Sequence, residues 1–290
     1  MDNQTNPQPA VQKPVNPLAN YYRQPKIYVK LPSNGKFYPP GTLDVSETGE
    51  YAVYAMTAKD ELMLKTPDAL MNGQSTVEVI KSCMPAILQP WLMPSVDLDA
   101  VLIAIRIATY GESMDVSVNC PSCSHVNDLQ LNLVGYLSRL NGFEYDDVVH
   151  VGPLTIYIRP FNYKEVTKTA IKSLEQEKIF NIINDKTMSD EQKIEEFGIS
   201  FLRLTDLTVG IVSDSIVKVS TPDGDVTDRK LIKDFIDNAP KEIFTAVQDR
   251  LTEMKDKLEL KAHQVTCQNC SHEFTTQITL DQANFFEVRS

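Results

Sequence analysis

No stretch of the chain approaches the roughly 20 uninterrupted apolar residues of a membrane span. The longest candidate, Val96 to Tyr110, is broken by Asp97, Asp99 and Arg106 and reads as a core helix. No membrane partner is expected. Positive charge is scarce as well. The 290 residues carry 28 Lys and Arg against 39 Asp and Glu, a net charge of −11. A surface built to neutralise phosphates shows clustered cations instead, so nucleic acid is not expected as the main partner. Catalytic signatures are missing too. There is no Gly-x-x-x-x-Gly-Lys and no Gly-x-Ser-x-Gly. The paired acids Asp146-Asp147 and Glu195-Glu196 lack the spacing that acid and base chemistry needs, and His150 and His263 stand in no motif. No enzymatic activity is expected. Met1 to Pro25 has neither the charged start nor the apolar run of a secretory signal. The expectation is a chain kept in a reducing cytoplasm, where paired thiols favour metal over disulfide.

What the chain does contain is a matched pair of cysteine turns. Cys120-Pro121-Ser122-Cys123-Ser124-His125 and Cys267-Gln268-Asn269-Cys270-Ser271-His272 share their spacing, and so do their flanks. Val118 and Val265 each lie two residues before the first cysteine; Leu129, Leu131 and Leu133 follow Cys123 at the offsets at which Thr276, Ile278 and Leu280 follow Cys270. Each half reads as a hairpin with two thiolates on its turn. Neither half alone completes the tetrahedral four-ligand site that structural zinc takes. The expected site is therefore one structural Zn held by Cys120, Cys123, Cys267 and Cys270. The 143 residues between the two turns far exceed the roughly 15 to 20 of a compact zinc ribbon, so the loop has become a domain. Two separate redox or disulfide pairs are the competing reading. His125 and His272 follow their turns at matching places and read as solvent-facing, with ligation or bonding to sulfur as the alternative. Cys83, in an apolar stretch with Met84, Ile87 and Leu88, reads as a small buried hydrophobe.

Read in order, the chain suggests four segments. Residues 1–25 carry Pro7, Pro9, Pro14, Pro17 and Pro25 among Asn and Gln and read as a flexible arm. Leu18, Tyr21, Tyr22 and Arg23 give its end something to bury, against a neighbouring copy. Residues 26–150 read as an α+β domain with the first knuckle. In it, Ile27, Val29 and Leu31 alternate, Ser33-Asn34-Gly35 turns toward Lys36-Phe37-Tyr38 as a hairpin, and Tyr51 to Met56 is a strand. Thr57 with Asp60 starts a helix, Pro67 to Met71 is a short helical piece, and Ser75 with Glu78 forms a capping box. Leu98, Val101, Leu102 and Ile105 are the buried stripe of the helix that Gly111 stops.

Acidic and turn residues from Asn141 to Val149 mark a boundary. Residues 151–262 read as a mainly helical insert. It contains a strand at Leu154 to Ile158, a helix capped by Asn162, and a helix opened by Ser189 and Gln192 with an apolar stripe of Ile194, Phe197, Phe201 and Leu204. A hairpin around Thr221-Pro222-Asp223-Gly224 follows, and then two last helices. Residues 263–290 hold the second knuckle and a C-terminal strand. The fold class expected is α+β: a small mixed sheet with packed helices, a Cys₄ zinc ribbon from two distant knuckles, and the insert. Tyr54 to Asp60 and Arg159 to Glu165 both run strand, cap, spacer, lysine, acid, a common helix-start pattern.

Lys26 to Lys36, Ala58-Lys59-Asp60-Glu61, Tyr110-Gly111-Glu112 leading to Cys120, and Arg159-Pro160-Phe161-x-x-Lys164-Glu165 together resemble the baseplate hub proteins of T4-like contractile-tailed bacteriophages. The resemblance covers roughly residues 26 to 170. It implies a structural or assembly protein of the tail baseplate, made in the host cytoplasm and placed in the virion. Its partners would be other hub and spike proteins, with neighbouring copies reached through the arm. A zinc-ribbon nucleic-acid protein, such as a phage transcription or recombination factor, is the alternative. It would place basic and aromatic residues on the ribbon strands, and Val126 to Leu133 and Phe274 to Leu280 have no Lys or Arg.

Overall fold

The computed structural model describes residues 16–18, 21–65, 73–141, 144–184, 188–258, 263–276 and 285–286. These form an α+β fold of small antiparallel sheets and packed helices. Strand β1 (Pro25–Lys30) pairs antiparallel with β2 (Glu50–Tyr54), setting Ile27 opposite Val53 and Val29 opposite Tyr51. The turn at Asn34-Gly35 forms at positive φ, but the return strand expected at Lys36-Phe37-Tyr38 does not. That loop is held elsewhere. Ser33 donates its N–H and its hydroxyl to the buried Asp97 carboxylate at 2.7 and 2.6 Å, and Leu43 bridges to Ile87.

Helix α1 (Ala58–Leu64) opens with a reciprocal capping box of Thr57 and Asp60, as its sequence predicts. Helix α2 (Gln74–Cys83) does not open on the expected Ser75 and Glu78 box. Its N-cap is Gly73, at φ 77°, and the buried Ser75 hydroxyl instead donates to the Met63 carbonyl at 2.8 Å. A buried donor beside the open carbonyls of a helix end takes that partner first. A Cβ at Gly73 would lie 3.0 Å from the Tyr163 hydroxyl and 3.1 Å from Trp91. The helical piece expected at Pro67 to Met71 lies outside the described residues.

Helix α3 (Ser95–Tyr110) buries more than the expected stripe. Ala100, Ile103 and Ala104 are enclosed along with Leu98, Val101, Leu102 and Ile105, which is the pattern of a central helix. Around it lie β1, β2, α1, α2 and α4 (Leu133–Leu140), together with Phe285 and Phe286 near the end of the chain. Between α3 and α4 runs the hairpin of β3 (Ser113–Asn119) and β4 (Val126–Asn132). Leu133 is therefore the first residue of a helix rather than the last of a strand.

A second core forms on a four-stranded antiparallel sheet. Its strands are β5 (Val148–Val151), β6 (Leu154–Ile158), β7 (Ile216–Thr221) and β8 (Gly224–Val226), adjacent in that order. The β5–β6 hairpin straddles the limit expected at residue 150. Helix α5 (Tyr163–Asn184) and helix α6 (Asp190–Ser215) follow β6. Val212 of α6, Ile232 and Ile236 of α7 (Arg229–Asn238), and Val247 and Leu251 of α8 (Lys241–Leu258) cover the sheet.

Asn162 caps α5 through a bond from the Glu165 N–H at 3.0 Å, and Arg159 grips the Glu165 carboxylate at 2.6 and 2.8 Å. The start of α5 is also fastened to the first core. Tyr163 donates its N–H to Met93 at 2.9 Å and stacks on Trp91 at 5.4 Å. Ser189 and Gln192 box the start of α6 as expected. Its apolar stripe, however, is not a core face. Ile194 is 73% exposed and Phe201 52%, because no described element packs over that side.

Candidate metal centre

Helix α3 feeds β3 and the first knuckle; α8 leads toward β9 (His263–Thr266), the second knuckle and β10 (Glu273–Thr276). The two hairpins share their register. Val118 faces Asn127 and Asn119 faces Val126; Val265 faces Phe274 and Thr266 faces Glu273. The turns match bond for bond. Cys120 N–H donates to the His125 carbonyl and Cys267 N–H to the His272 carbonyl, both at 2.9 Å. Ser124 N–H donates to the Cys120 carbonyl at 2.9 Å and Ser271 N–H to the Cys267 carbonyl at 3.0 Å. Each turn closes on a serine at positive φ, 58° for Ser124 and 56° for Ser271. This geometry leaves both sulfurs of a turn on one side.

The fold brings the two turns face to face. Cys120 Sγ lies 3.7 Å from Cys270 Sγ, and Cys123 Sγ lies 3.6 Å from Cys267 Sγ. All four sulfurs fall within 4.8 Å of one another. A disulfide would need about 2.05 Å. A tetrahedron built on metal–sulfur bonds of about 2.3 Å has edges of about 3.8 Å. The spacing is that of four ligands around one cation. Cys120 and Cys267 are buried, and Cys123 and Cys270 lie on the more open side. Cys83 is remote from the cluster and fully buried, as expected; burial pushes its thiol up to about 11.

The thiols do not ionise alike. Burial pushes Cys267 up, but the N–H groups of Cys270 and Asn269 and the neighbouring sulfurs outweigh it and bring it down to about 6. At Cys270 the His272 N–H pulls down, while Cys123, Cys120 and Cys267 together push it up to about 12. Four adjacent thiolates repel one another, and a central cation removes that conflict.

Residues beyond the cysteines hold the halves in place. Asn127, 1% exposed, accepts the Gln268 N–H of the opposite knuckle at 2.9 Å and donates to its own His125 carbonyl at 3.1 Å. Asn269 donates to Cys123 Sγ at 3.7 Å, and Tyr136 on α4 hydrogen-bonds His263 on β9. Asn127 escapes a reading of the sequence because one amide in an alternating strand looks like a surface residue; its one clue is that Phe274 stands at the matching place. His125 and His272 face solvent. Ile278 and Leu280, and the strand expected beyond Thr276, lie outside the described residues.

Neither a curated protein nor a solved structure matches the chain. A family model does, over residues 24–287, so it spans both cores, both knuckles and the helices between them. The base plate likeness read from short motifs over roughly residues 26 to 170 thus extends over nearly the whole chain, which belongs to the T4 bacteriophage base plate protein family.

Proposed function

We propose that the chain is a non-enzymatic structural or assembly component of the baseplate hub, and that Cys120, Cys123, Cys267 and Cys270 hold one structural zinc ion. Its partners are other hub and spike proteins, and its place is the tail baseplate of the virion. The observation that carries this reading is the convergence of four sulfurs from turns 143 residues apart, in a chain matched by the base plate family. A closed four-sulfur site leaves no open position for substrate or water. What such a site supplies is rigidity, on the order of 10 kcal/mol toward folding where two-stranded sheets contribute little. The segments 26–150, 151–262 and 263–290 then act as one clamped body, and residues 1–25 as an arm reaching neighbouring copies. The ribbon strands are acidic or neutral, with Asp128 and Glu273 exposed, which suits contacts with protein rather than phosphate.

Two measurements test the proposal. Elemental analysis of purified protein should return one zinc per chain, and metal-free folded protein sinks the site. Mass spectrometry of purified baseplates should find this chain together with hub and spike proteins; baseplates complete without it overturn its place in the particle.

A further inference from the structure

At the end of the β1–β2 pair, where Pro25 meets Tyr54, the residues Tyr22, Arg23, Tyr54, Thr57, Ser82 and Pro85 line an open cavity of about 480 Å³. That lies within the roughly 300 to 1,000 Å³ of clefts that hold ligands. Its polar walls are committed to one another. Arg23 donates through its two terminal nitrogens to the Ala55 carbonyl and to the carbonyl and hydroxyl of Ser82, and it approaches Asp60 at 3.5 Å. The Thr57 and Ser82 hydroxyls donate to the same Asp60 oxygen at 2.8 and 3.0 Å. Arg23 and Asp60 thus offset each other's charge, which leaves nothing in place for an ionic ligand.

What remains is aromatic and apolar. The Tyr54 ring lies 5.6 Å from the Arg23 guanidinium, and Tyr22 and Pro85 are exposed although they form walls. One donor is left as well. Among the described residues the Arg23 Nε–H has no acceptor. Tyrosine faces beside a donor suit a proline-rich segment, which lays its rings on the aromatics and has backbone carbonyls to offer.

The chain carries such a segment at the mouth of the cavity. Asn16 donates to the Tyr22 hydroxyl at 2.6 Å and accepts the Leu18 N–H at 3.0 Å, and the Tyr21 N–H donates to the Leu18 carbonyl at 3.0 Å. These bonds bend the start of the described chain back onto a wall of the cavity. The residues just ahead of Asn16 are Val11-Gln12-Lys13-Pro14-Val15. In an extended helix with three residues per turn, Val11 and Pro14 share one side, and Pro14 stands about 6 Å from Asn16. A tether that short holds a segment at an effective concentration on the order of millimolar, which favours the same chain's Pro14 over the arm of a second copy.

We propose that residues 11–15 strap across this cavity in their own chain, with Pro14 seated between Tyr22 and Tyr54 and a backbone carbonyl accepting from Arg23 Nε. The inference goes beyond the assembly reading and does not depend on it; it leaves residues 1–10 as the part of the arm that can reach a neighbouring copy. The test is proteolysis of the full chain by a protease that cuts before aliphatic residues, with the cut between Ala10 and Val11 followed by mass spectrometry. In the chain this cut should be at least about tenfold slower than in a free peptide of residues 1–20, the ratio reporting how rarely the strap opens. Tyr22→Ala and, separately, Pro14→Ser should each restore the rate of the free peptide of matching sequence. Unchanged thermal melting excludes misfolding, since Tyr22 is exposed and neither residue belongs to a core. Equal rates in chain and peptide overturn the proposal, as does protection that neither substitution lowers. Protection lost on about hundredfold dilution also overturns it, because it marks the arm of a second copy as the occupant. None of these outcomes touches zinc content or presence in baseplates, so this inference can fail while the assembly reading stands.

Discussion

Asp97 carries a pH signature because it is a carboxylate inside a core. Burial pushes it up to about 6, against the bonds from the Ser33 hydroxyl and N–H that pull it down. The unfolded value is about 3.9, so the protonated form is favoured by folding. The resulting stability is full below about pH 4 and is lost as pH rises through 6. Asp97→Asn should remove this part of the profile: compared with the unmodified chain, its melting temperature should fall less between pH 4 and 7. Equal pH slopes for the two proteins would contradict the assignment. Asn127→Leu is the second residue-scale prediction. It leaves the Gln268 N–H without its acceptor, which costs about 1 to 3 kcal/mol in denaturant unfolding, and a chelator should strip the proposed zinc faster. The cysteines were legible because their spacing repeats. Asp97 and Asn127 were not, because nothing local says that a single acid or amide is to be enclosed.

Among elements, helix starts were legible where the cap answers only to its own turn. Thr57, Asn162 and Ser189 each cap the helix that follows, and each has its reciprocal partner three residues on. The first two helix starts resemble each other further, since Arg23 approaches Asp60 and Arg159 grips Glu165 at the same position. Ser75 failed the rule because the end of α1 lies against it, a contact that sequence spacing does not carry. The two sites therefore respond differently. Thr57→Ala should cost about 1 kcal/mol, read from thermal or denaturant unfolding. Glu78→Ala should stay within about 0.5 kcal/mol, since the Glu78 side chain is 41% exposed and closes no box. A larger loss would restore the cap at Ser75. The strand partner of β1 was hidden for a similar reason. A turn at Asn34-Gly35 promises a hairpin, yet the bonds from Ser33 to Asp97 commit the following loop to α3.

At the level of the whole molecule, the last part of the chain has two separate attachments to the first core. One is the knuckle pair. The other is Phe285, buried at 1% exposure, whose carbonyl accepts from Arg106 and whose ring lies 5.4 Å under that guanidinium. Cys267→Ser should therefore loosen more than the final residues. Limited proteolysis should open the region around β3 and β4 as well as β9 and β10, and cuts confined to the C-terminal end would argue against a shared ion. Fold class and the pairing of the knuckles were readable from pattern. The return of Phe285 was not, because two aromatics near a terminus carry no address. The long separation of the knuckles also sets a schedule for synthesis. Cys123 leaves the ribosome on the order of ten seconds before Cys267 can join it. During that interval the early hairpin has only two of the four sulfurs, so capture of the proposed zinc would act as a late checkpoint, passed only after both cores have been translated.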